Sequence, residues 1–429
     1  MPTLHRRTKN NNKPVIRQIL NLIPNHLLTR QIRQYQSDKG CHKYKTYDQL
    51  VALMFGQLGK CYTLSDISCG LSISTTFLSD LGLTQSPSKS TMSDGNKNRN
   101  YRVYESLYYS LLSYHKHALK SNYQSHVIEE IKNETIKLID STTISLCLNM
   151  FDWAKYRTAK GGLKIHTVWD DTLGLPDIIN ITEAKLHDSR GLLTQVFAKG
   201  TIIVEDRAYF DFDLMKQRCD AKNVFVTRIK ENTVYKSIEE LDLPDNIDQD
   251  ILKDEIIYLT SPKAVEKGIS KIKFRLVSVF KADENKVIHI ISNQTEWTAR
   301  TIADLYKKRW DIELFFKAMK QNLQIKTFVG TSENAVKSQI FIALITYFLL
   351  ELIRRVYCKT KTAFSNFCEK IRICLLHYLS IEYLCSQLKP IVHKVKRNLK
   401  IIYSQNIILA NNTNLTCKQR DIANLYFNI

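Results

Sequence analysis

Two short apolar runs near the middle of the chain each end on an aspartate: residues 135–140 are TIKLID and residues 201–206 are TIIVED. Short runs rich in β-branched residues and bounded by polar ones are typical of buried strands. Side chains at the carboxyl ends of neighbouring strands in an α/β sheet converge on one crevice, so we expect Asp140 and Asp206 to lie close together. Two carboxylates there repel each other unless a cation lies between them, and hard oxygen ligands favour Mg²⁺ or Mn²⁺. The alternative is that each aspartate only forms a turn or caps a helix.

The sequence around these two runs predicts an α/β fold. Further strands are predicted at residues 163–169, 178–182 and 224–229, and a helix at residues 212–218. Residues 231–295 are again β-rich, with acidic loops, and from residue 298 to about residue 323 the apolar residues have helical spacing. We therefore expect the β-rich block to be an insertion between the last core strand and that helix.

Positive charge is concentrated towards the two ends of the chain. The sequence has 62 Lys and Arg against 42 Asp and Glu, a formal net charge of +20. Residues 1–120 carry a net charge of +11 and residues 345–429 one of +9, so residues 121–344 are neutral. An enzyme that acts on a free small molecule has no need of such flanks, whereas a protein that binds nucleic acid gains affinity when Lys and Arg release counterions from phosphates. A merely basic, soluble protein is the alternative that composition leaves open.

These patterns predict three regions. We expect residues 1–125 to be a helical DNA-binding region, residues 126–345 an α/β domain, and residues 346–429 a basic helical region for DNA contact or dimerisation. The ten cysteines are scattered and the first residues are polar and basic, so we expect no disulfide framework and a cytoplasmic, nucleoid-associated protein. The longest apolar run, residues 340–350, is shorter than the roughly 20 residues of a membrane span and predicts a core helix.

Residues 306–320, YKKRWDIELFFKAMK, are predicted to place one acidic side chain in a strip of basic and phenolic ones. At about 100° per residue, four side chains share one face of the helix within roughly 60°: Tyr306, Arg309, Glu313 and Lys320. The carboxylate of this strip would join the two aspartates at the metal, while its guanidinium, ammonium and phenol would contact DNA phosphates. The alternative is an ordinary helix with ion pairs, since Arg309 and Lys317 each lie four residues from Glu313.

Several blocks of the sequence resemble a known family. The spacing Y-x2-R-x3-E-x6-K, matched without a gap from Tyr306 to Lys320, resembles the signature of DDE transposases of the insertion-sequence 4 family. Residues 139–144, IDSTTI, resemble the family's first-aspartate strand, and residues 204–211, VEDRAYFD, resemble its second, where Arg207 follows the aspartate. Residues 182–190, TEAKLHDSR, resemble the segment between them.

The resemblance implies a fold, a chemistry and a set of site residues. The fold would be an RNase H-like catalytic core over residues 126–345, interrupted by the β-rich insertion. Asp140, Asp206 and Glu313 would be the catalytic residues and would hold two Mg²⁺ ions, with Mn²⁺ as a substitute. The DNA contacts would come from Tyr306, Arg309, Lys317, Lys320 and Arg207.

The activity implied by the resemblance is cleavage of DNA at the transposon ends followed by strand transfer into target DNA, by in-line phosphoryl transfer. The partners would be the terminal inverted repeats and the target DNA. Because two ends must be paired, we expect at least a dimer in the active complex. Two alternatives stay open from the sequence: a catalytically inactive, sequence-specific DNA-binding protein, and a DDE-type endonuclease without joining activity.

Overall fold

The structure, a computed structural model, describes most of the chain up to residue 387. The described residues are 13–122, 128–146, 153, 155–157, 160–184, 195–244, 250–323, 325, 327–358 and 362–387. Most of the segment 182–190 and the last 42 residues of the predicted C-terminal region therefore lie outside the described residues.

The N-terminal region is helical, as predicted. Its helices within the described residues are α1 (Val15–Leu20), α2 (Asn25–Tyr35), α3 (Thr46–Leu58), α4 (Leu64–Leu71), α5 (Thr75–Leu81), α6 (Lys89–Asn98) and α7 (Arg102–Ser121). Their starts follow local capping chemistry: the Thr63 hydroxyl accepts from the Asp66 amide while the Asp66 carboxylate accepts from the Thr63 amide. Ser74 and Ser88 cap α5 and α6 in the same way through their hydroxyls. Polar residues between apolar ones thus divide this region into short helices.

The middle of the chain forms one mixed sheet. Its described strands are β1 (Ile136–Leu146), β2 (Lys155–Arg157), β3 (Lys160–Asp170), β4 (Leu175–Glu183), β5 (Ile202–Glu205), β6 (Val224–Arg228), β7 (Tyr235–Glu240), β8 (Ile251–Leu259), β9 (Phe274–Lys281) and β10 (Lys286–Ser292). The order is β2-β3-β1-β5-β6-β10-β9-β8-β7, and β4 also pairs with β3. β1 is antiparallel to β3 and parallel to β5, and β5 is parallel to β6. The helix α8 (Phe212–Asp220) connects β5 to β6, which is the crossover that parallel neighbours require.

Strand β1 is longer than predicted, so the prediction that Asp140 ends a strand is wrong. The parallel ladder with β5 stops at the pair Ile139 and Glu205, but the antiparallel ladder with β3 continues to Leu146. The alternation of polar and apolar residues in STTISL, at 141–146, is a half-exposed strand pattern that a search for purely apolar runs misses. Asp140 and Asp206 nevertheless occupy equivalent positions, because each is the first residue beyond the last parallel pair.

The β-rich block continues the same sheet instead of standing apart from it. β10 pairs with β6 through residues such as Ile290 and Arg228, and β9, β8 and β7 follow outward as antiparallel neighbours. A short helix, α9 (Pro262–Glu266), lies between β8 and β9. The block lies between β6 and the next long helix, which is the position predicted for it.

The predicted single helix from residue 298 to about 323 is two helices, α10 (Ala299–Lys308) and α11 (Trp310–Asn322), with Arg309 between them. Arg309 keeps a helical backbone, with φ −52° and ψ −26°. Hydrogen bonds around it are of the tighter i to i+3 type, from the Arg309 amide to the Tyr306 carbonyl and from the Ile312 amide to the Arg309 carbonyl. The local tightening changes the angular positions that a uniform helix would give the side chains before and after Arg309.

A long apolar helix, α12 (Glu333–Tyr357), forms the centre of the molecule and is followed by α13 (Phe364–Ile373) and α14 (Ile381–Ser386). It passes without interruption through the boundary predicted at residue 345. By length and composition α12 could cross a membrane, but 94% of its most apolar window is buried inside the protein. Its packing against the N-terminal helices shows it as the core helix that the sequence predicted.

Candidate active site

The two aspartates emerge side by side from the sheet. Each carboxylate accepts a hydrogen bond from a nearby backbone amide: Asp140 Oδ1 from Ser141 at 2.7 Å, and Asp206 Oδ2 from Ala208 at 3.2 Å. Asp206 thereby caps the short 3₁₀ turn from Arg207 to Tyr209. Helix capping, the alternative role considered for these aspartates, thus accounts for one hydrogen bond of Asp206. The other carboxylate oxygen of each aspartate faces Arg309.

Arg309 joins these aspartates to the third acid. Its Nη2 lies 2.6 Å from Glu313 Oε1, its Nη1 lies 3.3 Å from Asp140 Oδ2, and its Nε lies 3.8 Å from Asp206 Oδ1. Three acids that lie on β1, after β5 and on α11 therefore meet around a single guanidinium. Asp140 and Asp206 were expected to lie close together because each follows a strand-like run, and the Arg309–Glu313 contact is also the ion pair of the alternative interpretation.

The site is only partly open to solvent and carries more negative than positive charge at its centre. The side chains of Arg309 and Asp140 are 15% exposed, and those of Asp206 and Glu313 are 33% exposed. Burial raises the pKa of Asp140 to about 7; the Arg309 charge and the Ser141 amide act against this rise, while Asp206 and Glu313 add to it. One guanidinium does not balance three carboxylates, so the site has residual attraction for a cation.

The donor chemistry of the three acids fits a divalent ion. Among the residues that the structure describes, no group of three or more His, Cys, Asp or Glu side chains is spaced to hold a metal ion directly. The acids are instead spaced by the guanidinium between them, which shows that a cation is accommodated there. Arg309 Nε is buried and has no hydrogen-bond partner among the residues that the structure describes, so the hydrogen-bonding capacity of the guanidinium is used incompletely. Hard carboxylate oxygens with surplus negative charge are the ligands that Mg²⁺ and Mn²⁺ prefer.

Tyr306 lies beneath the guanidinium and not at the protein surface. Its ring is 5.7 Å from the Arg309 carbon Cζ, in the geometry of a cation–π contact, and the residue is 8% exposed. Burial raises the pKa of its phenol above the ordinary value. Both residues were predicted to contact DNA phosphates, but here Tyr306 supports Arg309 and Arg309 is turned towards the acids.

The two predicted lysines lie at an open cleft beside the triad. Lys317 and Lys320 line this cleft together with Asp140 and Glu313, and Lys317 is exposed. Arg207, next to Asp206 in sequence, is also solvent-exposed, and its Nη1 lies 3.3 Å from Glu231 Oε1. Of these three cations, Lys317 and Lys320 are the two that line the cleft beside the acids.

Two buried ion pairs behind the site were not predicted from the sequence. Glu205, the residue before Asp206, pairs with Arg218 of α8 at 3.1 Å. Asp171, in the turn between β3 and β4, pairs with Lys308 at 2.8 Å. All four side chains are at most 8% exposed. The signal that could have found the first pair is the Glu adjacent to Asp206 in a buried strand, because a buried carboxylate requires a partner.

The fold and the site together define a class: an α/β protein in which a large mixed sheet and a following helix bring three acids around one guanidinium. Residues 132–349, about half of the chain, match the family described as Transposase DDE domain. The chain belongs to this family. Members of it generally use divalent metal ions. Residues 11–84 match a second family, described as a domain of unknown function.

Three curated relatives are named as probable or putative transposases, two of them for insertion sequence elements. The chain is 31% identical over 226 residues to the probable transposase for insertion sequence element IS5377 of Geobacillus stearothermophilus, covering 53% of this chain and 58% of that protein. It is 34% identical over 225 residues to the putative transposase y4zB of Sinorhizobium fredii, covering 52% and 61%. It is 25% identical over 271 residues to the putative transposase for insertion sequence element IS4SA of a Synechocystis species, covering 62% and 71%. The matches thus span less than two thirds of the length of the first two relatives.

Among solved structures, the piggyBac transposase synaptic complex with hairpin DNA matches with a TM-score of 0.41 and 11% identity, over 91% of this chain and 85% of that chain.

Proposed function

We propose that this chain is the transposase of an insertion sequence of the IS4 type, which cleaves DNA at the ends of its element and transfers those ends into target DNA. The observation that carries the proposal is the meeting of Asp140, Asp206 and Glu313 around one cation. The strand order β4-β3-β1-β5-β6, antiparallel on one side of β1 and parallel on the other, supports an RNase H-like core for the catalytic domain.

In this proposal the three acids hold the divalent ions. When bound, two Mg²⁺ or Mn²⁺ ions would supply activation of the attacking oxygen and stabilisation of the leaving oxygen in an in-line displacement. The protein holds both aspartates in place. Asp140 lies in β1, whose amino-terminal half pairs with β3 on one side and β5 on the other. The Asp206 carboxylate accepts from the Ala208 amide, and its carbonyl accepts from the Thr227 hydroxyl. Such preorganisation is what phosphoryl transfer demands of a protein.

The DNA backbone would lie in the cleft beside the acids. Lys317 and Lys320 on α11, which line this cleft, would neutralise phosphates next to the reacting one, and the exposed Arg207 beside Asp206 would add a further cation. Tyr306 would act through Arg309, whose guanidinium it supports.

The N-terminal region would bind the element's ends through a basic surface on α2 and the segment after it. The exposed cations of this surface are Arg30, Arg33, Lys39, Lys43 and Lys45. The buried Arg99 holds the segment in place by donating to the carbonyls of Ser37 and Tyr44. The two acids of the segment, Asp38 and Asp48, accept hydrogen bonds from backbone amides. A fixed surface rich in unbalanced positive charge suits a phosphate backbone. We further propose a dimer in the active complex and a cytoplasmic, nucleoid-associated location.

The test uses purified protein and duplexes that carry the inverted repeats flanking the coding region. With Mg²⁺, the wild type should cleave these ends and should join a pre-cut end to a target plasmid. Asp140→Asn should bind the ends normally and do neither, whereas Asp220→Asn, which alters an exposed acid of α8, should retain both activities. Binding without cleavage by the wild type would favour the inactive DNA-binding protein, and cleavage without joining would favour the endonuclease.

A further inference from the structure

Arg309 occupies the place where a shared metal ion would have to bind. Its guanidinium contacts one oxygen from each of the three acids, and these are the ligand atoms of the proposed metal site. The contacts are unequal: the one with Glu313 is short, the one with Asp140 is at the limit of a hydrogen bond, and the one with Asp206 is too long for one. Arg309 is therefore in place as a counter-ion without being locked by a full set of hydrogen bonds.

We propose that Arg309 is a resident counter-ion that holds the three acids together in the metal-free protein and is displaced from them by the divalent ions, becoming available for a DNA phosphate. This inference rests on the proposed function, since it takes the three acids to be the metal ligands. It assigns to Arg309 two successive partners: the carboxylates before metal binding and a phosphate after it.

Charge repulsion prevents the guanidinium and a divalent ion from lying between the three acids at the same time. A guanidinium and a divalent cation between the same carboxylates repel each other, and the repulsion is stronger in this partly buried site than in bulk water. Without any cation, the three carboxylates would repel each other, so the metal-free site needs the positive charge that Arg309 provides. The metal can therefore bind only when the guanidinium is released, and this competition lowers the observed affinity for the ion.

The surroundings of Arg309 give it somewhere to go. The residue lies at the junction of α10 and α11, with its side chain on the Tyr306 ring and next to the cleft that Lys317 and Lys320 line. Guanidinium groups bind phosphate and carboxylate with the same forked geometry. A phosphate in the cleft would stabilise the displaced position, and DNA binding and metal binding would each strengthen the other by the same factor.

The test is calorimetric titration of Mn²⁺ into the full chain without DNA, at one pH and one salt concentration. Arg309→Gln removes the competing charge and should bind Mn²⁺ at least about tenfold more tightly than the wild type. The matched control is Arg300→Gln, which removes a guanidinium of α10 that pairs with Asp250 and Asp304; its Mn²⁺ affinity should equal that of the wild type. Weaker or unchanged Mn²⁺ binding by Arg309→Gln would show a fixed structural ion pair and overturn the proposal.

A second variant separates loss of the competing charge from a folding defect. Arg309→Lys keeps the charge but cannot reach three carboxylates at once, so its Mn²⁺ affinity should fall between those of the wild type and Arg309→Gln. In addition, a duplex carrying the element's end should raise the Mn²⁺ affinity of the wild type but not that of Arg309→Gln. A failure of the proposed function is recognised separately: it would appear as Mn²⁺ binding that Asp140→Asn leaves unchanged.

Discussion

Lys308 Nζ lies 2.8 Å from Asp171 Oδ2, and both side chains are almost completely buried. Lys308 is the last residue of α10 and directly precedes Arg309, and the ion pair connects it to the turn between β3 and β4. It therefore links the element that carries Arg309 to the sheet that carries Asp140. The arrangement of the active site depends on such links, because its members come from distant parts of the chain.

Breaking this pair should destabilise the fold. Lys308→Met leaves the Asp171 carboxylate buried without its main counter-charge, and we expect the free energy of unfolding to fall by about 3–5 kcal/mol. Urea unfolding followed by circular dichroism measures the change. The double variant Lys308→Met, Asp171→Leu should be less destabilised than the sum of its single variants; strictly additive effects would show that the two residues do not interact.

The buried pair of Glu205 and Arg218 should position Asp206. Arg218→Lys keeps the charge but cannot form the forked pair with Glu205, so the end of β5 is held less firmly. We expect end cleavage at saturating DNA to slow by up to about 10²-fold, with an unchanged dissociation constant for end DNA. An equal decrease in DNA affinity and rate would indicate a general folding defect instead of a positioning role.

Lys317 and Lys320 should contribute by neutralising phosphates. Substituting both by Ala should weaken end binding and reduce the slope of log K against log salt concentration by about 0.9 for each phosphate that is no longer neutralised. Fluorescence anisotropy at several salt concentrations measures this slope. Lys216→Ala, which removes a lysine of α8 that pairs with Asp220, is the control and should leave the slope unchanged. A slope that stays the same in the double variant would exclude these lysines as phosphate ligands.

Removal of divalent metal should stop strand breakage without releasing the DNA. Chelation by EDTA is expected to abolish cleavage and joining, because the proposed mechanism assigns activation of the attacking oxygen and stabilisation of the leaving oxygen to the divalent ions. Gel shifts with end duplexes should persist at higher protein concentration, since the basic surfaces bind DNA without the metal and only the coupling through Arg309 is lost. Added Mg²⁺ or Mn²⁺ should restore activity, and cleavage that continues in EDTA would refute a metal-dependent mechanism.

Local patterns in the sequence were sufficient to place the three acids. Asp140 and Asp206 follow apolar strand runs, and the spacing from Tyr306 to Lys320 matches a helix face. The full length of β1 was missed because its second half alternates polar and apolar residues and pairs on one side only. The break at Arg309 was missed because its backbone stays helical and only the hydrogen-bond pattern changes.

The ion-pair partners of the basic side chains at the site could not be predicted from the sequence. Arg309 has a phosphate-binding side chain by type, and nothing local indicates that it turns towards Asp140, 169 residues earlier in the chain. The same is true of Lys308 and Asp171, which lie 137 residues apart. Such partners are set by the packing of the helices on the sheet, which periodicity does not describe.

The central claim is that Asp140, Asp206 and Glu313 bind divalent ions together. Its most direct test is anomalous X-ray diffraction from crystals grown with Mn²⁺ and end DNA, which locates manganese independently of the protein density. We expect anomalous peaks bonded to oxygens of all three carboxylates, with Arg309 moved from between them onto a DNA phosphate. Manganese peaks elsewhere, with the guanidinium still between the acids, would contradict it.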